Sequence, residues 1–275
     1  MLPYANALVM RHIPRKRFGQ NFLVDPQVVA NIIQAIHPQK NDRLVEIGPG
    51  LGALTLPLLL LLDHLYVVEL DRDLVEQLRQ KTPKDKLTVF SADALKFDFS
   101  ALGANLRVIG NLPYNISTPL LFHLSKYAAS IHDMHFMLQK EVVDRMIALP
   151  SSHDYGRLTV MLQYSFEMEQ VCVVSPESFQ PAPKVESAIV RMLPFRQPDH
   201  VANNEKVFAH VVSSAFSQRR KTLRNSLSAC LKPADFAAID IDPGQRAENL
   251  SVAQFVAIAN YVDGIRSAIP NPFQS

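Results

Sequence analysis

Three acidic side chains and an asparagine occur at the ends of separate apolar runs in the first half of the chain. Glu46 lies in the run that ends at Gly48, Glu69 ends the next run, and Asp93 follows a third. Asn111 then ends a fourth run, in the stretch VIGNLPYNIS. Runs of this kind predict buried parallel strands, whose carboxyl ends meet along one edge of a sheet. The spacing therefore predicts one crevice that contains carboxylates and hydrogen-bond acceptors.

The stretch EIGPGLGALT places glycines where the first of these strands meets a helix. Gly48, Gly50 and Gly52 allow a sharp turn and a close approach of the backbone to a ligand. The stretch also fits the looser dinucleotide pattern G-x-G-x-x-A. Glu69 follows Gly48 by 21 positions, where an acid can accept hydrogen bonds from both hydroxyls of a ribose. A nicotinamide dinucleotide and S-adenosylmethionine are both compatible with these features.

Asp93 is compatible with only one of these two candidate ligands. A carboxylate at the end of the third strand can accept a hydrogen bond from the exocyclic amine of an adenine, but it would repel a pyrophosphate. S-adenosylmethionine has no phosphate and carries a sulfonium cation. The acids Glu46, Glu69 and Asp93 therefore favour S-adenosylmethionine over a dinucleotide.

The residues from Asn111 to Tyr114 predict a cluster of acceptors beside an aromatic ring. Pro113 has no N–H and holds Leu112 extended, so the strand ends and the carbonyls of both residues lose their ladder partners. The Asn111 side-chain oxygen and the Leu112 carbonyl can accept both hydrogens of an adenine amine, which directs the nitrogen lone pair towards a methyl donor. Tyr114 can stack on a flipped base. Phe179 can close the other face of that base, or it can be an ordinary core residue.

The elements that must position these residues alternate along the chain. Asp25 and Pro26 begin a helix with an apolar stripe, and strand-like and helix-like runs then alternate as far as about residue 148. This order predicts an α/β protein with a mostly parallel sheet and helices on both faces. Two further strand-like runs, QVCVVS and ESAIVRML, predict an antiparallel end to the sheet. From about residue 200 the pattern is only helical.

Composition and charge limit the class of protein. The chain has 275 residues, of which 48% are hydrophobic, enough for one large domain or for a domain of about 200 residues with a smaller appendage. Cys172 and Cys230 are far apart, which indicates neither a disulfide framework nor a zinc site. His132 and His135 lie in a strand-like run, so no metal site is expected. The longest apolar run, from Leu54 to Leu62, is too short to span a bilayer, and no signal peptide is apparent. These features predict a soluble cytoplasmic protein.

Positive charge is concentrated in two clusters. The net charge of the whole chain is only +2, so the residues outside these two clusters carry a net negative charge. Two such clusters favour a polyanionic partner, although either one alone could be a solvated face or tail. The clusters consist of Arg11, Arg15, Lys16 and Arg17, and of Arg219, Arg220, Lys221 and Arg224.

Five stretches together resemble the KsgA/RsmA family of ribosomal RNA adenine dimethyltransferases. They are FGQNFL, EIGPGLGALT, NLPYNIST, FQPAPKVESAIVR and AFSQRRKTLRNSL. The resemblance runs from about Phe18 to the C-terminal RAENLSVAQF. It implies a Rossmann-like, seven-stranded class I methyltransferase sheet with a small all-helical C-terminal domain. We therefore expect an extension at residues 1–14, a methyltransferase domain at 15–196 and a helical RNA-recognition domain at 197–275.

The resemblance also implies a substrate and the roles of individual residues. The substrate is a pair of adjacent adenosines in a hairpin loop near the 3′ end of small-subunit (16S) ribosomal RNA, and the enzyme is expected to be a monomer without a metal. The target base is expected at Asn111, Leu112, Pro113, Tyr114 and Phe179. The two clusters of positive charge supply the residues expected to bind RNA, which are Arg15, Lys16, Arg17, Arg219, Arg220, Lys221 and Arg224. The cofactor positions are Gln20, Asn21, Leu23, Gly48, Glu69, Asp93 and Asn111, to which the glycine pattern adds Gly50.

Three other functions remain open at this stage. The macrolide-resistance (Erm) type of methyltransferase resembles the catalytic domain but modifies large-subunit RNA, and AFSQRRKTLRNSL favours the small-subunit enzyme. A non-catalytic ribosome-assembly or transcription factor could use the same fold, but the intact NLPY stretch and Asp93 argue against lost catalysis. A dehydrogenase is disfavoured by the same residues.

Overall fold

The computed structural model describes residues 20–218 and 220–268. Within them the chain divides into two compact units, residues 20–143 with 167–194 and residues 144–166 with 195–268. The domain boundary was predicted after residue 196, and the structure divides the chain between residues 194 and 195. Residues 144–166, which the prediction assigned to the sheet domain, group with the helical unit because Tyr155 and Val160 belong to its hydrophobic core.

The first unit is built on a seven-stranded mixed sheet, which confirms the predicted fold class. Strands β2, β3, β4, β5 and β6 are parallel, β9 pairs antiparallel with β6, and the strand order is β4-β3-β2-β5-β6-β9-β7. Strands β1 and β8 form a separate two-stranded ribbon. The nine strands are β1 Phe22–Leu23, β2 Arg43–Ile47, β3 Leu65–Glu69, β4 Leu87–Ser91, β5 Leu106–Asn111, β6 Ile131–Gln139, β7 Phe166–Val174, β8 Phe179–Gln180 and β9 Ser187–Pro194.

The strand order creates a crevice beside β2. The chain first adds β3 and β4 on one side of β2 and then returns to pair β5 with its other edge. The connections after β2 and β5 therefore diverge, and ligands bind at such a switch point, outside the carboxyl ends of the strands. Glu69 and Asn111 are the last residues of β3 and β5. Their polar side chains therefore lie at the same edge of the sheet as the switch point.

Ten helices are described in the two units. They are α1 Pro26–Ile36, α2 Thr55–Leu61, α3 Arg72–Lys81, α4 Ser117–Ser125, α5 Lys140–Met146, α6 Arg157–Gln163, α7 Glu205–Ala215, α8 Leu223–Ser226, α9 Pro233–Ala238 and α10 Val252–Ala268. None of these described helices is long and apolar enough to cross a membrane.

The ends of two helices test the predicted caps. Asp25 caps α1 by accepting hydrogen bonds from the backbone N–H groups of Gln27 and Val28, as expected. Helix α4 has no side-chain cap, although Ser117 and Thr118 are its first two residues. Ser117 is buried, and its hydroxyl donates instead to the Tyr114 carbonyl at 3.0 Å. The serine thus closes the turn after β5 and does not cap the helix.

Each unit has its own hydrophobic core. In the first, Leu44 and Ile109 of the sheet belong to one cluster with Ile32 and Leu58 of helices α1 and α2. In the second, α7 and α10 pack together through residues that include Phe208 and Phe255. The described part of the second unit is helical, as the pattern beyond residue 200 predicts.

The ribbon of β1 and β8 was not predicted. Leu23 pairs with Phe179, and the Val24 N–H donates to the Ser178 carbonyl at 2.9 Å. The Ser178 hydroxyl also donates to Asp25 at 3.0 Å. These contacts hold the stretch QNFL against the stretch SFQP, which lies more than 150 residues further along the chain.

Candidate active site

Most of the residues predicted to bind the cofactor or the target base line the crevice beside β2. Every predicted cofactor residue lines it, and so do four of the five residues predicted for the target base; Phe179 does not. The lining residues from the prediction are Gln20, Asn21, Leu23, Gly48, Gly50, Glu69, Asp93, Asn111, Leu112, Pro113 and Tyr114.

The glycine loop after β2 forms the floor of the crevice. Gly48 has φ of 66° and donates its N–H to the Val68 carbonyl at 2.9 Å. Gly50 has φ of 57°, a conformation that side chains rarely adopt, and a Cβ there would lie 3.0 Å from the Phe22 ring. The loop thus exposes backbone to the crevice, and any larger residue at Gly50 would displace Phe22.

Glu69 is held by backbone donors at the end of β3. Its two carboxylate oxygens accept from the Asp71 N–H at 2.8 Å and the Gly50 N–H at 3.4 Å. The side chain is buried, and this burial raises the pKa of Glu69 despite those hydrogen bonds. Each oxygen retains a lone pair for a further donor, which suits the two hydroxyls of a ribose.

Glu46 is a second buried acid in the crevice. Its carboxylate accepts a hydrogen bond from the Thr55 hydroxyl at 2.6 Å. Burial raises the pKa of Glu46 to about 7, and the negative charge of Glu69 adds to this increase. A carboxyl in this state changes its charge near neutral pH, so a nearby cation would favour the ionised form.

The charge of the crevice distinguishes the two candidate ligands. Glu46, Glu69 and Asp93 line it, whereas no lysine, arginine or histidine occurs among the described lining residues. Asp93 accepts from the Leu95 N–H at 3.0 Å through one oxygen, which leaves the other for a ligand amine. Three acids without a base fit a ligand with a positive charge, such as S-adenosylmethionine, and do not fit a pyrophosphate.

The turn after β5 orients a set of hydrogen-bond acceptors. The Asn111 side-chain nitrogen donates to the Asn21 carbonyl at 2.9 Å, so its oxygen is left without a partner among the described residues. The Leu112 N–H donates to the Met137 carbonyl at 3.1 Å. The Pro113 carbonyl was predicted to lose its ladder partner; it accepts instead from the Ile116 N–H at 3.1 Å. The Asn111 side-chain oxygen and the Leu112 carbonyl thus accept no hydrogen bond from the described residues.

The two predicted stacking residues differ in their surroundings. Tyr114 lines the crevice, is half-buried and forms a hydrogen bond between its hydroxyl and that of Ser187 at 2.9 Å. Phe179 is only 4% exposed and belongs to the same core cluster as Leu23 and Met137. The contacts of Phe179 are those of a core residue, and its role towards a target base stays a prediction.

The basic clusters are described only in part. Arg15, Lys16, Arg17 and Arg219 lie outside the described residues. Arg220, Lys221 and Arg224 are exposed in the second unit, and none forms an ion pair with a described carboxylate. Their charges are therefore available to a polyanion.

Four supporting contacts in the crevice were not predicted. The Asp71 N–H donates to the Glu69 carboxylate, and the Thr55 hydroxyl donates to the Glu46 carboxylate. The Asn21 carbonyl accepts from the Asn111 amide, and the Ser187 hydroxyl is hydrogen-bonded to the Tyr114 hydroxyl. Asp71 lies two residues after Glu69 and begins a helix, so its N-cap pattern was a usable signal. Ser187 is 73 residues from Tyr114, and no local pattern links the two.

Comparison with known proteins identifies one family along most of the chain. The family described as ribosomal RNA adenine dimethylase matches residues 11–264. Ribosomal RNA small subunit methyltransferase A of Nitrosospira multiformis is 61% identical over 94% of this chain and 100% of the relative. The protein of the same description from Nitrosomonas europaea is 62% identical over 92% and 98%.

Two solved structures resemble both the fold and the sequence. A dimethyladenosine transferase from Plasmodium falciparum has a TM-score of 0.73 at 25% identity, over 85% of this chain and 94% of that chain. The 23S rRNA methyltransferase ErmE has a TM-score of 0.68 at 25% identity, over 88% and 100%. The similarity to both proteins extends over most of the chain.

Proposed function

This chain belongs to the ribosomal RNA adenine dimethylase family, and on that premise we propose that it dimethylates N6 of two adjacent adenosines in the 3′-terminal hairpin loop of small-subunit ribosomal RNA. It is a methyltransferase that uses S-adenosylmethionine. The relatives named for the small subunit are 61–62% identical, against 25% for the 23S rRNA enzyme. That difference supports the small subunit over the large subunit as the substrate.

The acidic crevice carries this proposal. S-adenosylmethionine supplies an electrophilic methyl group when it is bound. Glu69 would accept the ribose hydroxyls, and Asp93 would accept the adenine amine. Gln20, Asn21 and Leu23, together with the backbone at Gly48 and Gly50, would enclose the rest of the molecule.

The turn after β5 would act on the target adenine. The N6 lone pair is delocalised into the ring, so the free amine is a poor nucleophile. The Asn111 oxygen and the Leu112 carbonyl would accept the two N6 hydrogens and favour a pyramidal nitrogen with its lone pair exposed. Pro113 ends the strand at this point, because it has no N–H to donate to the sheet ladder. The amine loses one hydrogen as a proton to solvent once it carries the methyl group, so no charged base is needed and the contribution of these residues is positioning and electrostatics.

Stacking would allow two transfers to the same nitrogen. After the first methyl is added, a single hydrogen remains, so only one of the two acceptors can hold the amine. Stacking on Tyr114 does not depend on those hydrogens and is worth about 1–3 kcal/mol. The singly methylated base can therefore stay bound and react again, with Phe179 as a proposed second face.

Product analysis tests the proposed function. Purified protein is incubated with excess S-adenosylmethionine and undermethylated small subunits, and the digested RNA is analysed by mass spectrometry. Dimethyladenosine at two adjacent positions, with monomethyladenosine only as a transient, is the expected result. Monomethyladenosine as the end point would contradict dimethylation, and modification of large subunits alone would favour the macrolide-resistance type.

The proposal extends to the setting of the reaction. A monomer in the cytoplasm, acting on ribosomal subunits during their assembly, is consistent with two cysteines that are both free thiols. The three exposed cations Arg220, Lys221 and Arg224, with Arg219 and the cluster around Arg15, Lys16 and Arg17, would bind RNA phosphates.

Cofactor affinity is expected to rise as the pH is raised from 6 to 8. Burial raises the pKa of Glu46 to about 7, so this carboxyl is mainly neutral at pH 6 and mainly ionised at pH 8. Only the ionised form attracts a cationic ligand. Calorimetry should give roughly fivefold to tenfold tighter binding at pH 8, because one pH unit below the pKa leaves about a tenth of the group ionised.

A matched variant isolates the contribution of Glu46. The amine of the cofactor also titrates, near pH 8, but it does so with any protein. Glu46→Gln keeps an acceptor for Thr55 and removes the titration, so its affinity should change less between pH 6 and 8 than that of the wild type. Identical pH profiles for the two proteins would show that Glu46 does not control binding.

Replacing Arg220 and Arg224 by alanine is expected to weaken binding to small subunits and to reduce its salt dependence. Each lost phosphate contact should lower the slope of log affinity against log salt by about 0.7–0.9. The measurement is a filter-binding titration over a range of salt concentrations. The control removes two exposed lysines of the same unit, Lys206 and Lys232. Equal slopes for the wild type and the arginine variant would assign the arginines to a solvated face.

A further inference from the structure

The hydroxyl of Tyr114 has a buried partner that stacking does not explain. Its oxygen lies 2.9 Å from the hydroxyl oxygen of Ser187, whose side chain is fully buried. Ser187 is the first residue of β9 and pairs with Gln139, the last residue of β6. The bond therefore runs from the turn after β5 to the start of β9, along the edge of the sheet where the crevice opens.

The other end of Tyr114 is also held. Its carbonyl accepts from the Ser117 hydroxyl at 3.0 Å, and the preceding carbonyl, of Pro113, accepts from the Ile116 N–H at 3.1 Å. Tyr114 is thus attached at its backbone and at its phenol oxygen. Because the phenol oxygen lies on the Cβ–Cγ axis of the ring, its hydrogen bond restrains χ1 and the direction of the ring axis before a substrate arrives.

Stacking alone does not require a tyrosine. A phenylalanine has the same aromatic face and would stack equally well on an adenine. The hydroxyl must therefore contribute something else, and among the described residues its only hydrogen-bond partner is Ser187. Burial raises the pKa of Tyr114, which keeps the phenol protonated and able to donate to the serine.

We propose that Ser187 is a positioning residue for the target base, because it fixes the position of the Tyr114 phenol oxygen and thereby of the ring on which the adenine stacks. This inference rests on the proposed function and deepens it. Methyl transfer needs the amine nitrogen in line with the methyl group, and a base that stacks on a displaced ring spends less time in that arrangement. Ser187 thereby affects the rate of transfer and does not touch the cofactor or the base.

Three variants test this role by steady-state kinetics with small subunits. Ser187→Ala and Tyr114→Phe each remove the bond, and each is expected to lower kcat roughly fivefold to tenfold, the effect of one neutral hydrogen bond. KM for the subunit and the affinity for S-adenosylmethionine should stay within about twofold of the wild type. The double variant should be no slower than either single variant, because both remove the same interaction.

A control and a spectroscopic measurement exclude a purely structural effect. Tyr155 donates to the Leu250 carbonyl at 2.7 Å in the other unit, so Tyr155→Phe should lower the melting temperature and leave kcat unchanged. Protein labelled with 3-fluorotyrosine reports the Tyr114 ring directly by fluorine NMR. The Tyr114 resonance, assigned by its loss in Tyr114→Phe, should shift in Ser187→Ala without any substrate, because the phenol loses its hydrogen-bond partner.

The outcomes separate this inference from the proposed function. If the wild type methylates small subunits and Ser187→Ala is equally fast, the role of Ser187 is overturned and the proposed function is not. The same conclusion follows if the effects of the two single variants add in the double variant. A wild-type protein that methylates no subunit would overturn the proposed function, and the fluorine spectrum would still show whether Ser187 holds the ring. An unchanged fluorine spectrum in Ser187→Ala would overturn the inference irrespective of activity.

Discussion

Asn111→Ala is expected to lower kcat for methylation of small subunits by roughly 100-fold to 1000-fold, the loss that follows when one preorganised polar group is removed from a reacting centre. The Asn111 amide donates to the Asn21 carbonyl, and this bond fixes its oxygen as an acceptor. Alanine removes that oxygen, so one of the two contacts that orient the target amine is lost. Single-turnover measurements with saturating cofactor would give the rate of transfer itself.

A neighbouring asparagine provides the control for this variant. Asn115 lines the same crevice but is exposed, and Asn115→Ala should retain a rate within about threefold of the wild type. Asn111→Ala should remain folded and keep part of its cofactor affinity, as measured by calorimetry. Near-normal methylation by Asn111→Ala would contradict the mechanism proposed for the turn after β5.

Glu69→Ala is expected to weaken the binding of S-adenosylmethionine roughly 10-fold to 100-fold. Hydrogen bonds to a charged group contribute about 1.5–3 kcal/mol, and each 1.4 kcal/mol is a factor of ten in affinity. Glu69 is buried at the end of β3, where two backbone N–H groups hold the carboxylate. Calorimetry at a fixed pH would measure the change directly.

The same variant also leaves the N–H groups of Gly50 and Asp71 without their acceptor, so a loss of stability must be separated from a loss of binding. Thermal unfolding without cofactor measures the first, and the increase in melting temperature on adding cofactor measures the second. Glu76→Ala, on the exposed side of α3, is the matched control and should bind normally. Unchanged affinity in Glu69→Ala would refute the assignment of Glu69 to the ribose.

The sequence alone determined the architecture and the placement of the acids and of the turn after β5 at one edge of the sheet. Helix and strand periodicity, the cap at Asp25 and the alternation of elements predict a mostly parallel sheet with helices, and the structure confirms it. Because parallel strands end at a common edge, the acids at Glu69 and Asp93 and the turn at Asn111 could be assigned to one crevice without knowledge of any contact. These inferences depend only on patterns among residues that are near one another in the sequence, so they can be made without the structure.

Only the tertiary structure decided how the side chains in that crevice are held. The carbonyl that orients Asn111 lies 90 residues away, and the hydroxyl that holds Tyr114 lies 73 residues away. The ribbon of Leu23 with Phe179 has two residues in each strand, too few for a periodicity to be recognised. The reason is physical: a hydrogen bond between distant residues depends on the packing of whole elements, and no property of either residue alone specifies its partner.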